Sequence, residues 1–213
     1  PPMLLMVLRF SLTALVLIWF VRPPFGYMRK IAVISLIGAG IQYSVTFTGL
    51  KGIDASSAII IIQMEVPFAA LLAAVFLKDM IGWRRAAGMA LAFVGVLILV
   101  GDPSVRGALT SALMVAAGSM LFAIGQVLTK SLNGAVGGFQ LTAWIALFAV
   151  PQLIVATLLF EDNQIKYVQE AGLLIWGTIL YLGLAMTALA YSLWYRLIGL
   201  YSINAVMPFT LLL

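Results

Sequence analysis

The chain contains no cysteine and no histidine. Disulfides, thiol chemistry and histidine-based metal sites are thereby excluded, and no metal is expected. Charge is scarce as well. Twelve basic and 7 acidic residues make up 9% of the 213, against 64% hydrophobic residues, too little polarity to coat a soluble domain of this size. No Gly-x-x-x-x-Gly-Lys loop occurs, so nothing in the chain supports nucleotide hydrolysis, and no cofactor is expected. The formal charge of +5 is not a nucleic-acid signal, because the basic residues sit at the ends of apolar runs. The solvent for most of this chain is lipid.

Apolar runs long enough to span a bilayer fall at Met3–Val21, Ile31–Leu50, Ala55–Leu77, Gly82–Val100, Ala108–Lys130, Phe139–Phe160, Gly172–Leu197 and Ser202 onward. That is an all-α integral membrane protein with seven complete spans and one truncated one. The connections are short and carry Gly, Pro, Asp or Asn, as in Arg22-Pro-Pro-Phe-Gly26 and Gly101-Asp-Pro103. The chain opens with Pro1-Pro2 against one apolar run and stops inside another, as expected of an internal piece lacking at least one helix at each end.

Alternate connections sort by charge. One set holds eight basic residues, Arg22, Arg29, Lys30, Lys78, Arg84, Arg85, Lys130 and Arg196. The other holds three, Lys51, Arg106 and Lys166, among the acids Asp54, Asp102, Glu161, Asp162 and Glu170. The first set is therefore expected on the cytoplasmic side, and the first helix runs from outside to inside.

Two charges remain inside helices, Arg9 and Glu65. At 1.5 Å per residue Arg9 lies about 9 Å deep from the outer side and Glu65 about 15 Å, near the midplane. A carboxylate at that depth costs roughly 3 kcal/mol on insertion scales. Pro67, two residues on, cannot donate to the carbonyl of Gln63, so a charge, a kink and a freed carbonyl are expected within Gln63-Met-Glu-Val-Pro67. This is the pattern of a polar site inside a membrane bundle.

Gly49-Leu-Lys-Gly-Ile-Asp-Ala55 returns as Gly199-Leu-Tyr-Ser-Ile-Asn-Ala205, 150 residues later and on the opposite side of the membrane. Each copy precedes a proline-bearing helix, with Pro67 in one and Pro208 in the other. Two related units inserted in opposite senses make an inverted repeat. The plainer reading is a common helix-turn-helix cap, with Asp or Asn at the start and Gly at the stop.

Three segments carry a resemblance to a known family. Pro1-Pro-Met-Leu-Leu-Met-Val-Leu-Arg-Phe10 looks like the start of the second helix in EamA-type drug/metabolite transporters. Leu77-Lys-Asp-Met-Ile-Gly-Trp-Arg-Arg85, leading to Gly88 and Gly95, resembles the turn into that family's glycine-bearing fifth helix, with Asp79 where the family usually has Glu. Ala188-Leu-Ala-Tyr-Ser-Leu-Trp194 resembles its eighth. The resemblance implies a ten-helix fold of two inverted five-helix repeats, of which about eight helices lie here. Residues 1–100 would then be helices two to five of the first repeat, and residues 101–213 helices six to nine of the second. Gln63-x-Glu65 is similar to a Gln-x-Gln of O-acetylserine and cysteine exporters, so the departure at Glu65 adds a charge where the relative has an amide.

The candidate substrate-binding residues are Glu65, Gln63, Gln42, Gln126, Tyr191 and Tyr43. Arg9, Pro67, Pro208 and Trp194 are the candidates for gating or structural roles. Glu65 shares a helical face with Ala58, Ile61, Phe68 and Leu72. It serves as a proton-coupling carboxylate, as a partner for a substrate amine, or as one half of an ion pair with Arg9. Arg9 keeps its charge and must find acceptors: a substrate carboxylate, Glu65, or headgroups reached by snorkelling. Gln42 lies on a stripe with Ser35, Gly38, Thr46 and Gly49, and Gln126 on one with Gly118, Phe122, Gly125 and Thr129. Such stripes mean close helix packing, while an amide at depth needs partners that a pathway would also supply. Tyr181, Ala185, Ala188, Ser192 and Tyr195 form a third stripe beside Tyr191 and Trp194, which suit an interfacial belt equally well. Trp144 and Phe122 are further candidates for an aromatic lining, and Gly88-x-x-x-Ala92 with Gly95 for close helix approach.

The resemblance implies a secondary transporter of the inner membrane that exports a small metabolite or amino-acid-like solute by alternating access, with protons as a possible second ligand. Uptake or exchange by the same fold is the runner-up. A membrane-embedded enzyme would want clustered acids, His, Cys or metal ligands. A channel or scaffold subunit would be told apart by flux that does not saturate.

Overall fold

The structure, a computed structural model, describes the backbone of residues 1–101, 105 and 107–212, and the side chains of these except 211 and 212. Asp102, Pro103 and Arg106, which carry part of the expected turn and two of the outer-loop charges, lie outside the described residues. The described residues form helices and no strand. Among the described residues, seven helices are long and apolar enough to cross a membrane: α1 Pro2–Phe20, α2 Phe25–Leu50, α3 Ala55–Leu77, α4 Trp83–Gly101, α5 Leu109–Lys130, α6 Gly138–Phe160 and α7 Leu173–Leu200. A short helix, Gln164–Gln169, links α6 to α7. After α7 the chain makes one α-turn, Ile203–Val206, and continues as 3-10 helix through Met207–Leu212, around Pro208, which has no N–H to donate.

Local chemistry sets the ends. Asp54 precedes α3 in extended conformation and its carboxylate accepts the Ser57 N–H at 2.8 Å, an N-cap. The equivalent residue of the sequence echo, Asn204, does not cap. Its backbone N–H and side-chain amide instead donate to the Asp79 carboxylate and carbonyl, both at 3.3 Å. The two copies of the echo therefore share a pattern and not a role.

Helix α1 begins with Pro2 at its first position, where the missing N–H costs nothing. The next two N–H groups, of Met3 and Leu4, donate to the two oxygens of Glu161 at 2.8 and 3.0 Å. Thr157 Oγ1 adds a third bond to that carboxylate at 2.7 Å. Glu161 is buried, and it ties the C-terminal end of α6 to the start of α1.

Three helices form the main packed body. Met6 and Phe10 of α1, Ile31 and Ile34 of α2, and Leu141, Ile145 and Leu153 of α6 share one buried cluster. In lipid this is dispersion between well-fitted surfaces and not expulsion from water, so shape decides which helices touch. The stripes of α2 and α5 meet face to face. A Cβ on Gly125 would come within 2.9 Å of the Gly38 Cα, Gly118 sits against Thr46, and Gly49 sits against Met114 and the Ser111 carbonyl. By contrast α4 has no buried residue, and a Cβ on Gly88 or Gly95 would meet nothing within 4 Å. The close approach expected at Gly88 and Gly95 does not occur among the described residues.

Two spans depart from ordinary helix. Leu36–Ile41 in α2 and Tyr181–Tyr191 in α7 are π-helical, with one extra residue per hydrogen-bonded turn. Helix α3 breaks differently. It stops at Ile62 and restarts at Glu65, leaving Gln63 and Met64 as a turn. Pro67 then falls in the first turn of the second piece, where its lack of N–H is harmless. The Gln63 carbonyl is not free, because the Val66 N–H donates to it at 3.2 Å. The expected freed carbonyl is corrected by this tightened turn.

Candidate functional site

The interrupted spans converge on one cavity of about 480 Å³. Helix α2 supplies Gln42, Tyr43, Thr46, Phe47 and Leu50, and α3 supplies Ile62, Gln63 and Glu65. Ser119 and Phe122 come from α5, Met186, Ala190, Tyr191 and Trp194 from α7, and Thr210 from the segment beyond. The irregular backbone explains the placement. Gln42 and Tyr43 directly follow the π stretch of α2, Tyr191 closes that of α7, and Gln63 and Glu65 flank the break in α3. Widened or broken turns rotate the residues beyond them and leave backbone polar groups where a cavity can use them.

Polar partners around the cavity are unevenly distributed. The Gln42 amide donates to Thr46 Oγ1 at 3.2 Å, and its buried Oε1 accepts nothing. Ser119 Oγ donates to the Val115 carbonyl at 3.2 Å and Thr210 Oγ1 to that of Met207 at 2.7 Å. The Trp194 indole N–H donates to Gln126 Oε1 at 3.2 Å. Gln126 itself is buried behind Trp194 and does not line the cavity.

Glu65 is the one charged side chain among the described residues that line the cavity. No ion pair joins it to Arg9. Among the described residues the single ion pair is Lys166–Glu170, on the surface. Arg9 is buried, and its guanidinium neither pairs with a carboxylate nor turns out to headgroups. Its Nε donates to Thr187 Oγ1, and its charge packs 5.7 Å from the ring centres of Phe10 and Tyr191. Cation–π attraction replaces the missing carboxylate. Phe10 meets Tyr43 edge-on at 5.8 Å, Tyr43 stacks on Phe47 at 5.7 Å, and Tyr191 lies 5.9 Å from Tyr195.

That aromatic cluster marks a constriction. Tyr43, Phe122 and Tyr191 line both the large cavity and a void of only about 20 Å³ below it, which also touches Thr142 and Tyr195. Tyr195 in turn borders a third space of about 580 Å³ lined by Arg22, Gly134, Gln140 and Arg196, at the basic end of the bundle. The spaces follow one another from Leu50, beside Lys51, to Arg196.

Of the candidates chosen from the sequence, Glu65, Gln63, Gln42, Tyr43 and Tyr191 meet in the cavity together with Trp194. Pro67 and Pro208 lie elsewhere, on an apolar space of about 810 Å³ between α3, α4 and the last segment. Trp144 packs near Phe148 in the α1–α2–α6 body, away from the cavity. Thr187, Ser119 and Thr210 went unnoticed because hydroxyls are common in membrane helices. Glu161 read as an ordinary loop acid because its partners lie 157 and 158 residues away.

Comparison with known proteins agrees with this architecture. Residues 1–101 match the EamA-like transporter family. Across 226 aligned residues the whole chain is 29% identical to a probable amino-acid metabolite efflux pump of Salmonella typhimurium, covering 74% of it. It is 28% identical to a pump of the same description from Escherichia coli, again covering 74%. A solved crystal structure, 19% identical in sequence, superposes with a TM-score of 0.68 over the whole of this chain and 78% of that one, a likeness of fold. Over its first 101 residues, this multi-pass membrane chain of apolar helices interrupted around a cavity carries a domain that matches the EamA-like transporter family.

Proposed function

We propose that this chain is a secondary transporter of the cytoplasmic membrane that exports a small amino-acid-like metabolite by alternating access. The solute occupies the cavity against Glu65, Gln63, Gln42, Tyr43 and Tyr191, with Gln126 holding Trp194 in place behind it. Arg9 orders the aromatic constriction below. The observation that carries this reading is a single one: a carboxylate inside the bundle, unpaired by any described cation, faces a cavity built from three interrupted spans. Such a group is costly unless protein, proton or ligand compensates it. The names of the relatives supply the direction and the solute class.

Residues 1–100 and 101–213 act as parts of two inverted repeats that rock about the cavity. In support, the family match ends at residue 101, and the two π-helical stretches fall one in each part. Glu65 couples transport to protons, with Tyr43 and Tyr191 as the titratable neighbours on the same cavity and Arg9 beyond Tyr191.

The experiment is transport of labelled amino-acid metabolites in proteoliposomes with an imposed pH gradient. Wild-type flux saturates and follows the gradient, while Glu65→Gln loses the dependence on the gradient. Flux that stays proton-dependent in Glu65→Gln rules out the coupling role, and flux that never saturates rules out a carrier.

A further inference from the structure

The donors and acceptors of the cavity are not balanced, and the imbalance selects a ligand charge. Four groups that border it already donate inside the protein. The Gln42 amide goes to Thr46, the Ser119 and Thr210 hydroxyls go to backbone carbonyls, and the Trp194 indole goes to Gln126. Gln42 Oε1 is buried with no partner, and Glu65 has no cation within ion-pair distance among the described residues. Around them stand the rings of Tyr43, Phe47, Phe122 and Trp194. No lysine or arginine is among the residues that line the cavity. Arg9 is not one of them and is committed to Thr187 and to the rings of Phe10 and Tyr191.

From this we infer that the cavity selects an apolar amine carrying a single positive charge and no free carboxylate. Its ammonium donates to Glu65, and the surrounding rings add cation–π attraction. Its apolar body fills the space between Phe47, Phe122 and Met186. A free amino acid fits poorly. Its carboxylate would have to sit beside Glu65, with only neutral hydroxyl and amide groups to donate and no cation to neutralise it. An amino acid whose carboxyl is removed, amidated or esterified meets both demands. This rests on reading the cavity as the solute site, and it narrows that reading to one charge class.

The test is binding to the purified full chain in detergent at neutral pH, by calorimetry, with four probes that share a phenyl ring and fall into three charge classes. 2-Phenylethylamine and phenylalaninamide are cations, phenylalanine is a zwitterion, and N-acetylphenylalanine is an anion. The two cations are expected to bind at least about tenfold more tightly than phenylalanine, and the anion not at all. Glu65→Gln removes that preference, and Ala190→Trp, which fills the cavity, abolishes binding. The Tm of each ligand-free variant checks that it is folded. Equal or tighter binding of phenylalanine or N-acetylphenylalanine overturns the charge assignment and leaves the cavity as a solute site. Cation binding that survives Glu65→Gln and Ala190→Trp overturns it too, since the cation then sits elsewhere. If none of the four binds, the charge assignment and the solute-site reading fall together.

Discussion

At the scale of single residues, two carboxylates at the ends of helices do opposite kinds of work. Glu161 satisfies two consecutive N–H groups at the start of α1 and is itself buried. Replacing it with alanine leaves those N–H groups without acceptors, which costs about 2–3 kcal/mol. A thermal melt of Glu161→Ala in detergent is therefore expected to show Tm lower by about 5 °C or more, with Glu161→Gln between it and wild type. Asp54 is an exposed cap, and the Ser57 backbone N–H is the main reason its carboxyl titrates below the ordinary value of 3.8. A lowered folded pKa means that the ionised cap stabilises the fold fully above that ordinary value, and that the contribution disappears as pH falls through the lowered one. The stability difference between wild type and Asp54→Asn should then shrink between pH 7 and pH 3 and be flat above pH 5. Melts at those pH values decide it. The Asp54 cap was legible in the sequence because cap and capped residue are three apart. The Glu161 cap was not, because its partners are brought to it by the fold.

At the scale of helices, spans were the most legible part of the chain. Expected and observed bounds agree within a few residues, because lipid demands an uninterrupted apolar length. Helix α2 is the largest departure, starting at Phe25 instead of Ile31, since its first turn carries Arg29 and Lys30 at the basic face. What periodicity could not reveal is where the period changes. The π stretches before Gln42 and up to Tyr191 shift the facing register by part of a turn, so a stripe read at 3.6 residues drifts there. In the α7 stripe, Tyr181 is exposed whereas Ala188 and Ser192 are buried. Small residues were a better guide where two helices both carried them. Gly125 on α5 meets the backbone of Gly38 on α2, and neither backbone can yield as a side chain would. Gly125→Ala is therefore expected to cost about 1–3 kcal/mol through overpacking. Gly95→Ala, on the open face of α4, should be neutral or stabilise by up to about 1 kcal/mol through helix propensity. Comparing the Tm of the two variants separates packing glycines from those that merely sit in a helix. An equal loss in both would mean that α4 is packed as tightly as α5.

At the scale of the whole molecule, the order of the spaces along the bundle carries the mechanism. The large cavity reaches Leu50 at the end of α2, while the space around Arg22 and Arg196 reaches the opposite, basic end. Between them the Tyr43–Phe122–Tyr191–Tyr195 cluster leaves a void of about 20 Å³, roughly the room for one water and far too little for a solute. The cavity thus extends toward Leu50 and is separated from the space at Arg196 by these rings. A carrier must alternate access between these two ends, whereas a channel would open both at once. These 213 residues hold no cysteine, so a single thiol introduced among them has no background from this part of the protein. In right-side-out and inside-out vesicles, a membrane-impermeant maleimide should label Leu50→Cys from the side of Lys51 and Arg196→Cys from the other. Adding a transported solute should move the two labelling rates in opposite directions, because protecting one side requires exposing the other. If both rates rise together the constriction behaves as a pore gate. If both are unaffected by a solute that does bind, the aromatic cluster is a fixed wall and the path must run along another face of the bundle.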